Sequence, residues 1–315
     1  MLNNQMSPKT ESRFAELLPY FAFIFICFLC AIRDVFSEWF MKNSQESVSP
    51  YFTLFIFSAV TVLSCFIYLV FSRNGLRVLN KQVFSQWEHF KNALLVSVYT
   101  FLAFLCYFLA ISTPLGAGLN SFIDYGTFPL FTAALAIFFL NEKIEKKFYI
   151  AALLCISGIA LFMWPRIQLN TSVSAVLFIG LFYSLMGAFF SGFFSIYSKR
   201  LLNYGLDIIA LVFIRLFFST CALGLFILVK GENHSFFVVL SLSILGFFGA
   251  TLLLILSTFA LKKMKIKSFA LVSYSIPILT YLFSWSFGHT TLFWMDIFAS
   301  TLILSALFYY EYKKQ

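Results

Sequence analysis

Residues 121–164 read SFIDYGTFPLFTAALAIFFLNEKIEKKFYIAALLCISGIALFMW, and residues 268–310 read SFALVSYSIPILTYLFSWSFGHTTLFWMDIFASTLILSALFYY. The two stretches begin 147 residues apart. Each opens on Ser-Phe, carries one proline inside an apolar run (Pro129, Pro277), breaks at a short polar turn, and closes with an apolar segment ending near Ala-Leu-Phe. A fixed period between long apolar segments is the mark of a duplicated unit. The turns differ in charge. Residues 141–147 hold three lysines, whereas 288–292 (GHTTL) hold none. That difference is expected if the two copies cross a membrane in opposite senses.

Outward from this pair the whole chain reads as membrane protein. Of its 315 residues 61% are hydrophobic and 11% charged, and the mean hydropathy is +0.90. So few charges cannot cover that much apolar surface in water, so lipid must be the solvent for much of it. The 45 phenylalanines fit lipid-facing positions, which accept any large apolar side chain. Ten apolar segments follow, at 17–40, 51–71, 93–112, 116–140, 147–164, 173–198, 207–229, 236–260, 267–287 and 291–310. At 1.5 Å rise per residue each can cross about 30 Å of hydrocarbon. The first segment has no signal-peptide exit and carries Arg33 and Asp34, so it is expected to remain as a span.

Basic residues set the orientation. Seventeen of the 22 lysines and arginines fall on one face of a ten-span arrangement; Lys42, Arg166 and Lys230 fall on the other, and Arg33 and Arg215 lie within spans. Such a bias places both termini in the cytoplasm. Removing one span would invert every later loop and destroy it. Basic loops of this kind meet anionic lipid headgroups, so the net charge of +9 points to the bilayer and not to nucleic acid. Five spans per half is an odd number, which forces the halves to be inverted. The expected architecture is an all-α membrane protein of ten transmembrane helices in two inverted five-helix repeats. A cytoplasmic tail covers 1–16, the first repeat 17–165 and the second 173–311.

At Tyr125–Pro129, Asn141-Glu142-Lys143-Ile144-Glu145 and Gly158-Ile159-Ala160, and again at Tyr274-Ser275-Ile276-Pro277 and Gly288-His289-Thr290-Thr291, the chain resembles the drug/metabolite transporter superfamily, in particular its EamA-type members. The resemblance covers nearly the whole chain. Three positions depart from the family pattern: Asn141 stands where Gly is usual, His289 where Glu is usual, and Ala31-Ile32-Arg33-Asp34 where a Trp-Gly pair is common. The resemblance implies a ten-helix metabolite carrier with a central cavity between its halves, in the cytoplasmic (inner) membrane of a bacterium.

A charge at the centre of a spanning helix costs roughly 2.5–3.5 kcal/mol on insertion scales, so it should face a wet cavity or a partner. Asp34 and Glu38 are i, i+4 and share a face of the first span. Asp124 sits at comparable depth in the fourth. With Arg33 they are candidates for binding a zwitterionic or cationic solute, for proton coupling, or for a salt bridge between helices. Arg215 in the seventh span occupies a place where the family often has Arg. It can attract a carboxylate or phosphate, or snorkel to the interface. Pro129 and Pro277 each remove a helical hydrogen bond and are hinge candidates. Tyr125 and Tyr274 bring phenols to mid-membrane as cavity contacts. Asp207, Trp294 and Asp296 are expected at the interface, His89 and His234 solvated in loops, and His289 structural.

The six cysteines lie in apolar stretches, with Cys27 and Cys30 on one helix, so neither a disulfide framework nor a metal site is expected. No Walker loop, Ser/His/Asp set or His-rich motif occurs, and no cofactor is expected. The partners implied are a small-molecule substrate, with protons as a coupling ion, and the bilayer. A lipid-modifying enzyme and a non-transporting scaffold are the alternatives. Dispersed histidines speak against the first, and acids at membrane depth against the second.

Overall fold

The computed structural model describes residues 8–42, 44, 46–72, 83, 86–140, 146–169, 174–263, 275–289 and 294–312. Among these lie ten helices: α1 (Pro8–Lys42), α2 (Pro50–Phe71), α3 (Trp87–Ser112), α4 (Gly116–Leu140), α5 (Lys146–Leu169), α6 (Ser174–Asn203), α7 (Ile208–Lys230), α8, α9 (Ser275–Ser286) and α10 (Trp294–Tyr312). Helix α8 is composite. It runs Phe236–Gly246, loosens into a π-helical turn at Phe247–Leu252, and resumes at Leu253–Lys263. Helix α1 starts at Pro8, nine residues before the apolar run, because Glu11, Arg13 and Glu16 are compatible with helix although they are polar.

The helix ends follow local chemistry. Pro50 needs no N–H partner in the first turn of α2, and the Ser49 hydroxyl accepts the Phe52 N–H at 3.1 Å. Asp207 accepts the Ile209 N–H at 3.0 Å at the start of α7, and Gly231 closes that helix in the left-handed region at φ 67°. Within the spans, hydroxyls fold back onto their own helix, as Thr61 does to the Phe57 carbonyl at 2.8 Å and Thr258 to that of Leu254 at 2.7 Å. In hydrocarbon no water can satisfy them.

Packing exchanges the two halves. Helix α2 packs on α7, α4 on α9, and α5 on α10, each helix meeting its own counterpart. The α1–α9 contact is matched by α6–α4, and α1–α8 by α6–α3. Every main contact therefore has a partner under interchange of helices 1–5 with 6–10, as a two-fold relation between repeats requires. Small residues permit the close approaches. A methyl group on Gly158 would come 2.5 Å from the Ile303 side chain, and one on Gly118 would come 3.1 Å from Tyr281. The outer surface is apolar: Phe138 is 81% exposed and Val229 90%. Five described helical stretches are long and apolar enough to cross a membrane, with shorter apolar helices at 149–161, 276–286 and 294–306. A soluble protein does not expose such a belt.

Four connections meet at the lysine-poor end. The Glu46 carboxylate accepts the Ser235 N–H at 2.9 Å, and Glu232 accepts the Ser49 N–H at 3.2 Å and its hydroxyl at 2.8 Å. Glu38 accepts the Ala117 N–H at 2.8 Å, pairs with Lys42 at 2.8 Å, and lies 3.9 Å from His289 Nδ1. The α1–α2 connection thus closes on the α7–α8 connection, and the end of α1 on the start of α4 and on the α9–α10 connection, as an alternating path through ten spans demands.

Candidate functional site

Arg33 and Asp34 are buried at 7% and 0% exposure. Successive helix positions point about 100° apart and do not face each other, so the long arginine side chain folds back. Its Nε lies 2.8 Å and its Nη2 2.6 Å from Asp34 Oδ1. The Tyr107 hydroxyl donates to Asp34 Oδ2 at 2.6 Å, and the Cys30 thiol lies 3.7 Å from the same oxygen. Tyr125 OH lies 3.3 Å from the Cys30 sulfur. Helices α1, α3 and α4 are thereby tied by one polar cluster in the membrane.

Helix α8 completes it. Arg33 Nη1 donates to the Gly249 carbonyl at 3.4 Å, inside the π-helical turn. A π turn shifts carbonyls away from their usual partners and recurs at functional sites. Gly249 also lets the chains approach, since a Cβ there would sit 2.6 Å from Arg33 Cβ and 2.8 Å from its Cγ. Gly249→Val is therefore expected to destabilise the protein by about 1–3 kcal/mol through overpacking, read as a lower melting temperature in detergent, with Gly249→Ala falling between it and wild type.

Asp124 lies one residue before Tyr125 and is 8% exposed. Unlike Asp34, it makes no hydrogen bond or ion pair among the described residues. Its neighbour across the seam is Gly187 of α6, whose missing side chain would come 3.4 Å from Asp124 Oδ1 and 3.4 Å from the Ala103 carbonyl of α3. Arg215 lies farther along that α3–α6 seam. Its Nε reaches Thr100 Oγ1 at 3.4 Å, and its guanidinium carbon lies 4.4 Å above the Phe194 ring. It has no carboxylate partner among the described residues. One unpaired acid and one unpaired base thus line the same seam, with their α6 neighbours Gly187 and Phe194 seven residues, or about 10 Å of helix rise, apart.

Other residues fall elsewhere. Glu38 caps the start of α4 beside Gly116, whose φ of +68° and 2.6 Å clearance to Glu38 Oε1 leave no space for a Cβ. It does not join Asp34, although the two share a face. Pro129 lies inside α4 and Pro277, buried, in the first turn of described α9. Tyr274 lies outside the described residues. Asp296 is not interfacial: it is fully buried and accepts the Tyr281 hydroxyl at 2.6 Å, because α9 folds over the start of α10. Trp294 is 74% exposed. His89 stacks on Tyr204, centroids 4.4 Å apart.

His234 is also not solvated. Its ring lies on Phe52, with Nε2 3.1 Å from Glu232 and Nδ1 3.7 Å from Glu46. Backbone and hydroxyl donation from Ser235 holds the Glu46 carboxyl below the usual range. Burial pushes Glu232 up, but hydrogen bonds from His234 and Ser49, with Lys230, outweigh it and leave that carboxyl low. A depressed folded-state value means stabilisation that is present above the ordinary glutamate value of 4.5 and lost as pH falls through the folded one. Glu232→Gln is expected to flatten the fall of melting temperature on acidification below pH ~4.5, in a comparison of thermal melts.

No group of three or more His, Cys, Asp or Glu side chains is arranged to hold a metal among the described residues. A small cavity of about 130 Å³ lies between Val35, Phe36, Trp39, Phe287 and His289, and Asp34, Asp124 and Arg215 do not line it.

The EamA-like transporter family model matches residues 17–164 and 178–310, one copy on each five-helix half. The chain belongs to the EamA-like transporter family. No curated protein matches this EamA-like chain. A solved structure, titled only "Crystal structure of protein", superposes with a TM-score of 0.61 at 16% identity, covering 94% of this chain and 96% of that one. That likeness is one of fold.

Proposed function

We propose that this EamA-like protein is a secondary transporter that moves a small polar or zwitterionic metabolite across the bacterial cytoplasmic membrane by alternating access. The observation that carries this reading is the placement of Asp124 and Arg215 on one seam, each buried and neither in an ion pair among the described residues. Uncompensated charge at membrane depth is expensive and is retained where a ligand supplies the counter-charge. Asp124 would take the cationic group and Arg215 the anionic one. Without solute, Asp124 can take a proton, which supplies coupling.

In this scheme the repeats span 17–165 and 173–311 and both termini face the cytoplasm, which makes the lysine-poor end external. Repeat one rocks against repeat two, with Pro129 and Pro277 as the flexing points. Tyr125 and Tyr274 contact the cavity, and Arg33–Asp34 with Tyr107 and the Gly249 carbonyl forms the joint at which α1 and α3 pivot on α8. A metabolite carrier needs no reacting group, in keeping with a transporter family.

Uptake into proteoliposomes of a panel of amino acids, polyamines, betaines and nucleotide-like solutes tests the reading. Saturable uptake of at least one panel member, lost in Asp124→Asn and Arg215→Gln, is the expected result. Full transport by both variants would remove the site assignment. Uptake of none would remove the carrier reading.

A further inference from the structure

Asn120 stands one turn before Asp124 on α4, so the two share a face with Cβ atoms about 6 Å apart. That face packs on α6 at Ser184 and Gly187. Asn120 is fully buried, and among the described residues neither its Nδ2 nor its Oδ1 has a hydrogen-bond partner. The Ser184 hydroxyl donates at 3.4 Å to the Asn120 backbone carbonyl and leaves the carboxamide unserved. A buried amide with no partner is less stable than a leucine of similar volume in the same place. Between membrane helices, asparagine is ordinarily kept because it bonds a neighbouring helix. Here it bonds none.

We infer that the Asn120 carboxamide is a specificity-determining contact for the carried solute, taking a group that both donates and accepts hydrogen bonds one helical turn from the positive centre held by Asp124. The inference rests on the carrier reading above. Helix α4 belongs to the first repeat and α6 to the second, so rocking of the repeats parts this seam and opens Asn120 and Asp124 together. Because the facing residues are Ser184 and Gly187, little side chain has to move. The solute class is a cationic or zwitterionic molecule bearing a carboxamide or hydroxyl about 5–6 Å from its charged nitrogen.

The test uses the full chain and two probes of nearly equal shape, L-glutamine and L-norleucine, of which only the first carries the carboxamide. Wild type is expected to bind L-glutamine about tenfold or more tightly than L-norleucine, as one hydrogen-bonded group at a closed site provides. Asn120→Leu is expected to keep or raise the melting temperature and to bring the two affinities within about twofold. Asn120→Ala serves as a second variant with the same expected loss of preference. A fall of melting temperature in both variants would show a structural partner for the amide and overturn the inference. So would equal binding of the two probes by wild type, or an unchanged preference in the variants. Binding of neither probe also overturns it, while the carrier reading then stands or falls separately on the solute panel.

Discussion

Asp34→Asn is expected to lower stability by about 3–5 kcal/mol and to leave little folded protein in the membrane. The substitution removes the only carboxylate that Arg33 pairs with among the described residues, at 2.6 Å, and strands a buried guanidinium. Breaking a buried pair from one side costs far more than removing both members. Helices α1, α3 and α8 also lose a common anchor, since Tyr107 and Arg33 both bond that carboxylate and Arg33 reaches Gly249. The double variant Arg33→Met with Asp34→Leu should recover most of the lost melting temperature, because two apolar side chains then fill the space. A thermal double-mutant cycle measures this. If the double variant is as unstable as Asp34→Asn, the ion pair is not what holds these helices.

Asp124→Asn is expected to behave in the opposite way. Asp124 bonds to nothing among the described residues, so its melting temperature should be unchanged or higher, since the amide removes a buried charge. Transport should drop about 10- to 100-fold, the range set by losing one charge-assisted hydrogen bond of about 1.5–3 kcal/mol. Two aspartates at similar depth would thereby separate cleanly: one governs folding, the other transport. Uptake rates set beside melting temperatures in the same preparation decide it. A destabilised Asp124→Asn protein would place this acid in the structural cluster.

The sequence made some of this legible and hid the rest for physical reasons. Arg33, Asp34, Asp124 and Arg215 were conspicuous because a charge in an apolar run has no cheap explanation. The two-fold exchange of contacts was foreshadowed by the repeated Ser-Phe and Pro segments. Tyr107 and Cys30 were not legible as partners of Asp34, because a tyrosine among 15 tyrosines carries no positional signal until the helices are packed. The π turn at 247–252 could have been suspected only from the small residues Gly249-Ala250-Thr251. Glu38, i+4 from Asp34, shared its face but not its task, since the cap of α4 at Ala117 claimed it. Nearness to a span end puts Asp296 at the interface on sequence grounds, and a loop position puts His234 in solvent. Tertiary contacts, from Tyr281 and from Phe52 with the two glutamates, buried them instead.

Thiol access at the α4–α6 seam tests the central claim most directly. Ser184→Cys is a near-isosteric change at a fully buried position. In oriented proteoliposomes, a charged, membrane-impermeant thiol reagent should modify it when added from either side, above the level given by the Ser184→Ala control. Modification from both sides is what a watery passage opened alternately between two repeats predicts. A cysteine reached only by a lipid-soluble reagent, or by none, would mean that Asp124 and Asn120 face a sealed core, and the passage proposed between the halves does not exist.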